Sequence, residues 1–193
     1  MEILGKILGS QSRVKLMRLF LLNPETNFSS KDIVKRSRVN VSVARKELNL
    51  LTSVNFIKRL ANGYVFNQAF KYRTELEGLL INSDSLDKST LSGIFKKVGK
   101  VKLLIVSGIF IKNKDSRVDL LIVGDKMKKS KIEESIHKLE AEIGSELVYT
   151  VFDTAEFNYR LSMYDKLVRD ILDFPHEIIV QAKELSTQSL KKS

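Results

Sequence analysis

Phe28-Ser29-Ser30-Lys31-Asp32-Ile33-Val34-Lys35-Arg36-Ser37-Arg38-Val39-Asn40-Val41-Ser42-Val43-Ala44-Arg45-Lys46-Glu47-Leu48-Asn49-Leu50-Leu51 carries two helical signals in close succession. Ser29 or Ser30 can cap a short helix over 31–36, because a serine hydroxyl accepts from the free N–H groups of a first turn. After three or four residues, Asn40 can cap a longer helix running to about Val54. In that helix Val41, Ala44, Leu48 and Leu51 follow the 3-4-3 spacing of a buried stripe. Asn55 suits the left-handed backbone that closes it. On the N-terminal side, Ser10 or Ser12 caps a helix to about Leu22, with Val14, Met17, Phe20 and Leu21 apolar and Asn23-Pro24 as its stop. On the C-terminal side, Ile57-Lys58-Arg59-Leu60, the turn Ala61-Asn62-Gly63 and Tyr64-Val65-Phe66 predict a hairpin, since Asn-Gly between short β-prone runs is its strongest local signal.

Helix, short helix, turn, longer helix and basic hairpin is the order of a winged helix-turn-helix. Over roughly Gly9 to Phe66 the chain resembles the winged-helix repressors of the arsenic-repressor and MarR-like kind. Asn55 stands where that family commonly has Gly, a tolerable change because Asn also visits positive φ. With the stripe inward, Ser42, Val43, Arg45, Lys46 and Asn49 face outward. Arg can fork onto guanine, Asn onto adenine, and Val can meet a thymine methyl. Lys58, Arg59 and Asn62 on the wing are placed for phosphate or the minor groove, and Ser30 and Lys31, at the start of the shorter helix, are also expected to contact DNA. The resemblance implies a transcription regulator that binds double-stranded DNA as a homodimer. Ile3, Leu4, Ile7 and Leu8 precede the first helix and are expected either to pack across a two-fold interface or to fold back on their own domain.

The charge pattern points the same way. The chain of 193 residues has 33 Lys/Arg and 23 Asp/Glu, a net +10. Residues 1–80 hold 14 basic and 6 acidic side chains, and residues 81–193 hold 19 and 17. Between 31 and 59, eight basic residues face only Asp32 and Glu47. Local positive charge of this kind releases counterions from a phosphate backbone. The break near residue 80, with Asn82-Ser83-Asp84-Ser85 as loop, divides the chain into domains 1–82 and 83–193. With 43% hydrophobic and 29% charged residues the chain can bury a core, which excludes global disorder. Zero cysteines exclude disulfides, cysteine-bound zinc and thiol nucleophiles. Residues 1–10 lack a secretory apolar core, and the longest apolar run, Val101 to Ile111, is interrupted by Lys102 and too short for a membrane span. A cytoplasmic protein without membrane contact is expected.

In the second half the period changes. Residues 67–80 and 89–98 are predicted helices. Val101–Val106 and Val118–Val123 are near-continuous apolar runs, as in strands buried on both faces. A helix over 128–143 closed by Gly144, a strand over 147–152, helices over 154–161 and 165–172 and a short strand over 176–180 follow, then a polar tail from Gln188. Over about Leu91 to Val180 this order resembles the small nucleotidyltransferases of the DNA polymerase β superfamily. Their signature is a strand ending in Gly-Ser, a loop, then Asp-x-Asp, whose two carboxylates share one side of a strand and hold Mg²⁺. Here Ser107-Gly108-Ile109 replaces Gly-Ser, and Ser116-Arg117-Val118-Asp119-Leu120 puts Arg117 at the first metal position, where its charge repels Mg²⁺. Asp115 lies four strand positions from Asp119, ~13 Å, too far to share one ion. Acids near the third strand, Glu146 and Asp153, flank it rather than sit within it.

The site is therefore expected to be vestigial. Gly108 and Asp119 are its remnants, with Asp119 a relic or the partner of Arg117, and no catalytic residue, metal ligand or cofactor is assigned. His137 and His176 lack ligand spacing. Lys96, Lys97, Lys100 and Lys102 could hold phosphate but have no Gly-rich cradle. The expected class is α+β, a winged helix-turn-helix followed by a small nucleotidyltransferase-like domain with a mixed sheet flanked by helices. The function expected is that of a DNA-binding regulator with an inactive second domain, open to a nucleotide or small-molecule effector. The alternatives are an active Mg-dependent nucleotidyltransferase with an accessory winged helix, or an antidote-type interaction protein.

Overall fold

The computed structural model describes residues 3–81, 88–113 and 115–185. The expected loop 82–85 and the tail from Gln188 lie outside them. The chain has an α+β fold and divides into two compact units, Met1–Leu86 with His137–Glu146, and Asp87–Ile136 with Leu147–Ser193.

The first unit is built around α2 (Gln11–Leu22), capped by Ser10, whose Oγ accepts from the Arg13 N–H at 3.2 Å. Val14, Leu16, Met17, Leu19, Phe20 and Leu21 are all buried in it. Around it pack α1 (Ile3–Ile7), α3 (Ser30–Ser37), α4 (Val41–Ser53) and α5 (Arg73–Leu80), with a hairpin of β1 (Ile57–Leu60) and β2 (Gly63–Phe66). The N-terminal apolar segment is split. Leu4 is in the core and Leu8 packs on it, whereas Ile3 and Ile7 are 73% and 69% exposed. Helix α5 begins six residues later than expected because Asn67 makes a turn instead. Its N–H donates to Phe56 O, its Nδ2 to Asn55 O, and its own C=O accepts from Phe70 N–H. Residues 137–146 belong to this unit through Lys15 Nζ–Glu142 at 2.7 Å and the Asn23 amide donating to Gly144 O at 2.9 Å.

The second unit is a four-stranded mixed sheet in the order β5-β4-β3-β6, with β3 (Lys100–Val106), β4 (Leu120–Asp125), β5 (Tyr149–Phe152) and β6 (Glu177–Gln181). Strand β3 runs antiparallel to β4 and β6, and β4 runs parallel to β5. Leu103–Val106 and Leu120–Val123 are fully buried, which accounts for their unbroken apolar runs. Leu103, Ile105, Leu121 and Val123 share one face and meet Phe157, Val168 and Ile171 from α8 (Thr154–Ser162) and α9 (Lys166–Asp173). Helices α6 (Lys88–Phe95) and α7 (Lys129–Ile143) contribute buried Leu91, Phe95, Ile132 and Ile136. Strand β4 starts two residues later than expected because the preceding backbone is already spoken for. Ser107 Oγ donates to Val118 O at 2.5 Å, and Ser107 N–H donates to Asp119 O at 2.9 Å. Among the described residues no helix is long and apolar enough to cross a membrane.

Candidate nucleic-acid interface

Both helices of the interface start on a side-chain cap. Ser29 Oγ accepts from Asp32 N–H at 3.1 Å while Asp32 accepts from Ser29, a reciprocal pair that ties off two free donors and lowers the Asp32 carboxyl pKa. The chain leaves α3 through Arg38 in the left-handed region (φ +54°), pinned by buried Val39, and enters α4 under Asn40, whose Oδ1 accepts from Ser42 N–H at 2.9 Å. Asn55, also left-handed (φ +58°), ends α4 and sends the chain into β1.

The inner face of α4 differs by one residue from the expected stripe. Ala44, Glu47, Leu48 and Leu51 are buried, and Val41 is 58% exposed. Val41 follows the cap directly, beyond the reach of the packed bundle. Glu47 takes an inward position because Arg13 meets it there, Nε to Oε2 at 2.8 Å, with the same guanidinium donating to Leu8 O at 2.7 Å. At 100° per residue, Ser42, Lys46 and Asn49 lie opposite the buried stripe, Val41 and Arg45 flank it on one side, and Val43 and Leu50 on the other.

All ten residues expected to contact DNA are exposed. Five of them, Ser30, Lys31, Arg45, Asn49 and Arg59, line one groove of about 560 Å³ between the start of α3, the flank of α4 and the hairpin. Ser42, Val43, Lys46, Lys58 and Asn62 are exposed outside that groove. Buried Ala44 and Leu48 form its floor, and Val41, Val34 and Tyr64, which were not foreseen, also line it. The alternation of β2 held the signal for Tyr64, which shares a face with buried Phe66. Among the described residues none of Lys31, Arg45, Lys46, Lys58 and Arg59 is salt-bridged, whereas Arg36 pairs with Glu146 at 2.8 Å. The two acids of the 31–59 segment are both occupied, Asp32 by its cap and Glu47 by Arg13. Asp32 keeps its charge beside Lys35 and Arg36, so the eight basic residues of this segment still leave its exposed surface strongly positive.

The hairpin is held by a contact that the Asn-Gly pair did not announce. Leu60 pairs with Gly63, so the loop is Ala61-Asn62, and none of Ala61, Asn62 and Gly63 has a positive φ. Gly63 serves close approach instead, because a Cβ there would run into the Phe28 carbonyl and the Asn27 side chain. That approach lets Phe28 and Tyr64 exchange two backbone hydrogen bonds at 2.9 Å, fixing the hairpin to the segment that starts α3.

In the second unit the residues expected to be remnants of a metal site are in contact, in a different chemistry. Asp119 Oδ1 accepts from Ile109 N–H at 2.8 Å and Oδ2 from Val148 N–H at 2.9 Å. Gly108 (φ +55°) is required beneath it, since a Cβ would collide with Asp119 Oδ1. Asp119 is not the partner of Arg117. Arg117 Nε pairs with Asp170 at 2.7 Å, on α9. Among the described residues, no three His, Asp or Glu side chains are grouped as metal ligands would be. His137 donates to Glu140 at 2.9 Å and His176 to Phe174 O at 2.9 Å. Lys102, one of the four lysines considered for phosphate, is buried and bound to Asp125 (2.9 Å) and Glu184 (2.8 Å). Compared with family models, curated proteins and solved structures, the chain matches none of them.

Proposed function

We propose that the chain is a sequence-specific double-stranded DNA-binding regulator of transcription, with α2 to β2 acting as a winged helix-turn-helix. One observation carries this reading: Arg45, Asn49, Lys31 and Arg59 line a single groove between α4 and the hairpin, exposed and without acidic partners. Arg and Asn suit guanine and adenine edges in a major groove, and Lys and Arg at its margins suit phosphate. Selection of duplexes from a random pool tests it. A shared sequence motif, lost on Arg45→Ala, is expected; enrichment of no motif would reject the reading.

The second unit acts in this proposal as a nucleotidyltransferase-like domain without transfer chemistry. What supports it is the antiparallel β3–β4 pair beside parallel β5, with Gly108 and Asp119 at the β3–β4 connection and both Asp119 oxygens engaged by backbone N–H groups. Its role is then to receive a nucleotide or small-molecule effector.

A further inference from the structure

The described loops of the second unit carry charge that the sequence total conceals. Residues 81–193 are nearly balanced, yet two turns at one end of the sheet gather seven lysines. Lys96 and Lys97 lie on the turn from α6 into β3 and Lys100 opens β3; Lys126 and Lys128 lie on the turn from β4 into α7, and Lys129 and Lys131 lie in the first turn of α7. The turns are in contact: Lys128 N–H donates to Val98 O at 3.0 Å, and a Cβ on Gly99 would come within 2.8 Å of Lys126 O. All seven side chains are exposed. Among the described residues only Lys131 of the seven is salt-bridged, to Glu134 at 2.9 Å. Of the nearby acids, Asp125 and Glu184 share buried Lys102, with the Lys100 charge also lowering the Glu184 carboxyl, and Glu133 and Asp153 line a cavity with Lys126 and Lys129.

Clustered like charges repel, and the carboxylates beside them, Glu133, Glu134, Asp153 and Glu184, are fewer than the seven lysines, so a polyanion is the natural counterpart. We propose that this lysine patch is a second nucleic-acid contact, holding the phosphate backbone of duplex DNA without reading its bases. Lysine is a mobile point charge that suits phosphate and lacks the planar fork of Arg. Tyr149, which lines a cavity with Lys126 and Lys129, is a single ring rather than the succession of platforms a single strand stacks on, and the two turns carry no exposed aromatic side chain. They also expose no large apolar side chain that would enter a bilayer surface. The phosphate affinity of the patch stands independently of the groove on the first unit; the choice of DNA over RNA rests on the function proposed above.

The test uses the full chain with Lys97→Gln, Lys128→Gln and Lys129→Gln together, and a random-sequence duplex of about 30 base pairs between roughly 50 and 200 mM salt. Each lost phosphate contact flattens the log–log salt slope by about 0.9, so a fall of about 2–3 is expected, with on the order of tenfold weaker low-salt binding whatever the sequence. The same change is expected in the background of Arg45→Ala, Lys58→Ala and Arg59→Ala. That result would uphold the patch even if no sequence preference exists in the natural chain. An unchanged slope and affinity in a variant with natural circular dichroism overturns it. So does at least ~10-fold preference for an RNA duplex of equal length, which would mean that the phosphates belong to RNA. Should the triple variant unfold, Lys96→Gln, Lys100→Gln and Lys126→Gln carries the same test.

Discussion

Glu47 lets α4 keep an acid and still present only basic charge to solvent. Its carboxylate is buried against Arg13, so the charge it subtracts from the sequence is not subtracted from the exposed face. Removing the partner strands it. Arg13→Met is expected to lower the unfolding free energy measured in urea by about 2 kcal/mol, less than the ~3–5 kcal/mol of a wholly buried pair because Arg13 is partly exposed. A loss below ~0.5 kcal/mol would show that Glu47 finds water instead. Val41 makes the converse point. Apolar and exposed at the head of α4 beside Arg45, it is placed to meet a thymine methyl. In a selected duplex, replacing dT by dU one position at a time is expected to weaken binding at one position by about 1 kcal/mol, and Val41→Ala should abolish that difference. Equal sensitivity in both proteins would exclude Val41 as the contact.

At the scale of elements, periodicity, caps and turn residues located most helices and strands to within two residues, because each is set by local chemistry. What they missed was tertiary. Gly63 was legible as a turn glycine, but its role, admitting the Phe28 backbone, depends on a segment 35 residues away. The late start of α5 follows from Asn67 bonding Phe56 and Asn55, and Val41 is exposed because the bundle ends below it. Of the ten exposed site residues, five were readable from the phase of α4 and five from the hairpin and the start of α3, yet the sequence could not show which five share a groove. Gly63→Val is expected to pull the hairpin from Phe28 and weaken duplex binding equally for all sequences, with no change in motif; a changed motif would contradict the wing's phosphate role. Within the sheet, Thr154 and then Lys102 hold the Asp125 carboxyl at about 2, and Lys102 lowers Glu184 as well. Folding therefore favours their ionised forms. The stabilisation is complete above the ordinary Glu and Asp values of 4.5 and 3.8, and the Asp125 share is lost as pH falls toward about 2. Melting temperature should drop across that window, and Lys102→Met should shrink the drop; an identical profile would remove Lys102 as its cause.

Among the described residues, positive charge is concentrated on the α4–hairpin groove and on the lysine patch; the linear sequence showed the first and the Lys96, Lys97 and Lys100 half of the second, but not that Lys126 to Lys131 join it. Ile3 and Ile7, exposed beside core-bound Leu4, are the apolar pair available to a second copy. If they pair two chains, sedimentation at tens of micromolar gives a dimer that Ile3→Ser with Ile7→Ser converts to monomer; a natural monomer would remove that assembly. The most direct measurement is fluorescence anisotropy of the natural chain, Arg45→Ala and Lys58→Ala on a selected duplex and its scrambled counterpart. Arg45→Ala is expected to lose about 1–3 kcal/mol on the selected duplex alone, and Lys58→Ala to weaken both duplexes alike while flattening the salt slope by about 0.9. Equal binding of both duplexes by the natural chain, or no retention of either at low salt, would contradict a DNA-reading face on this unit.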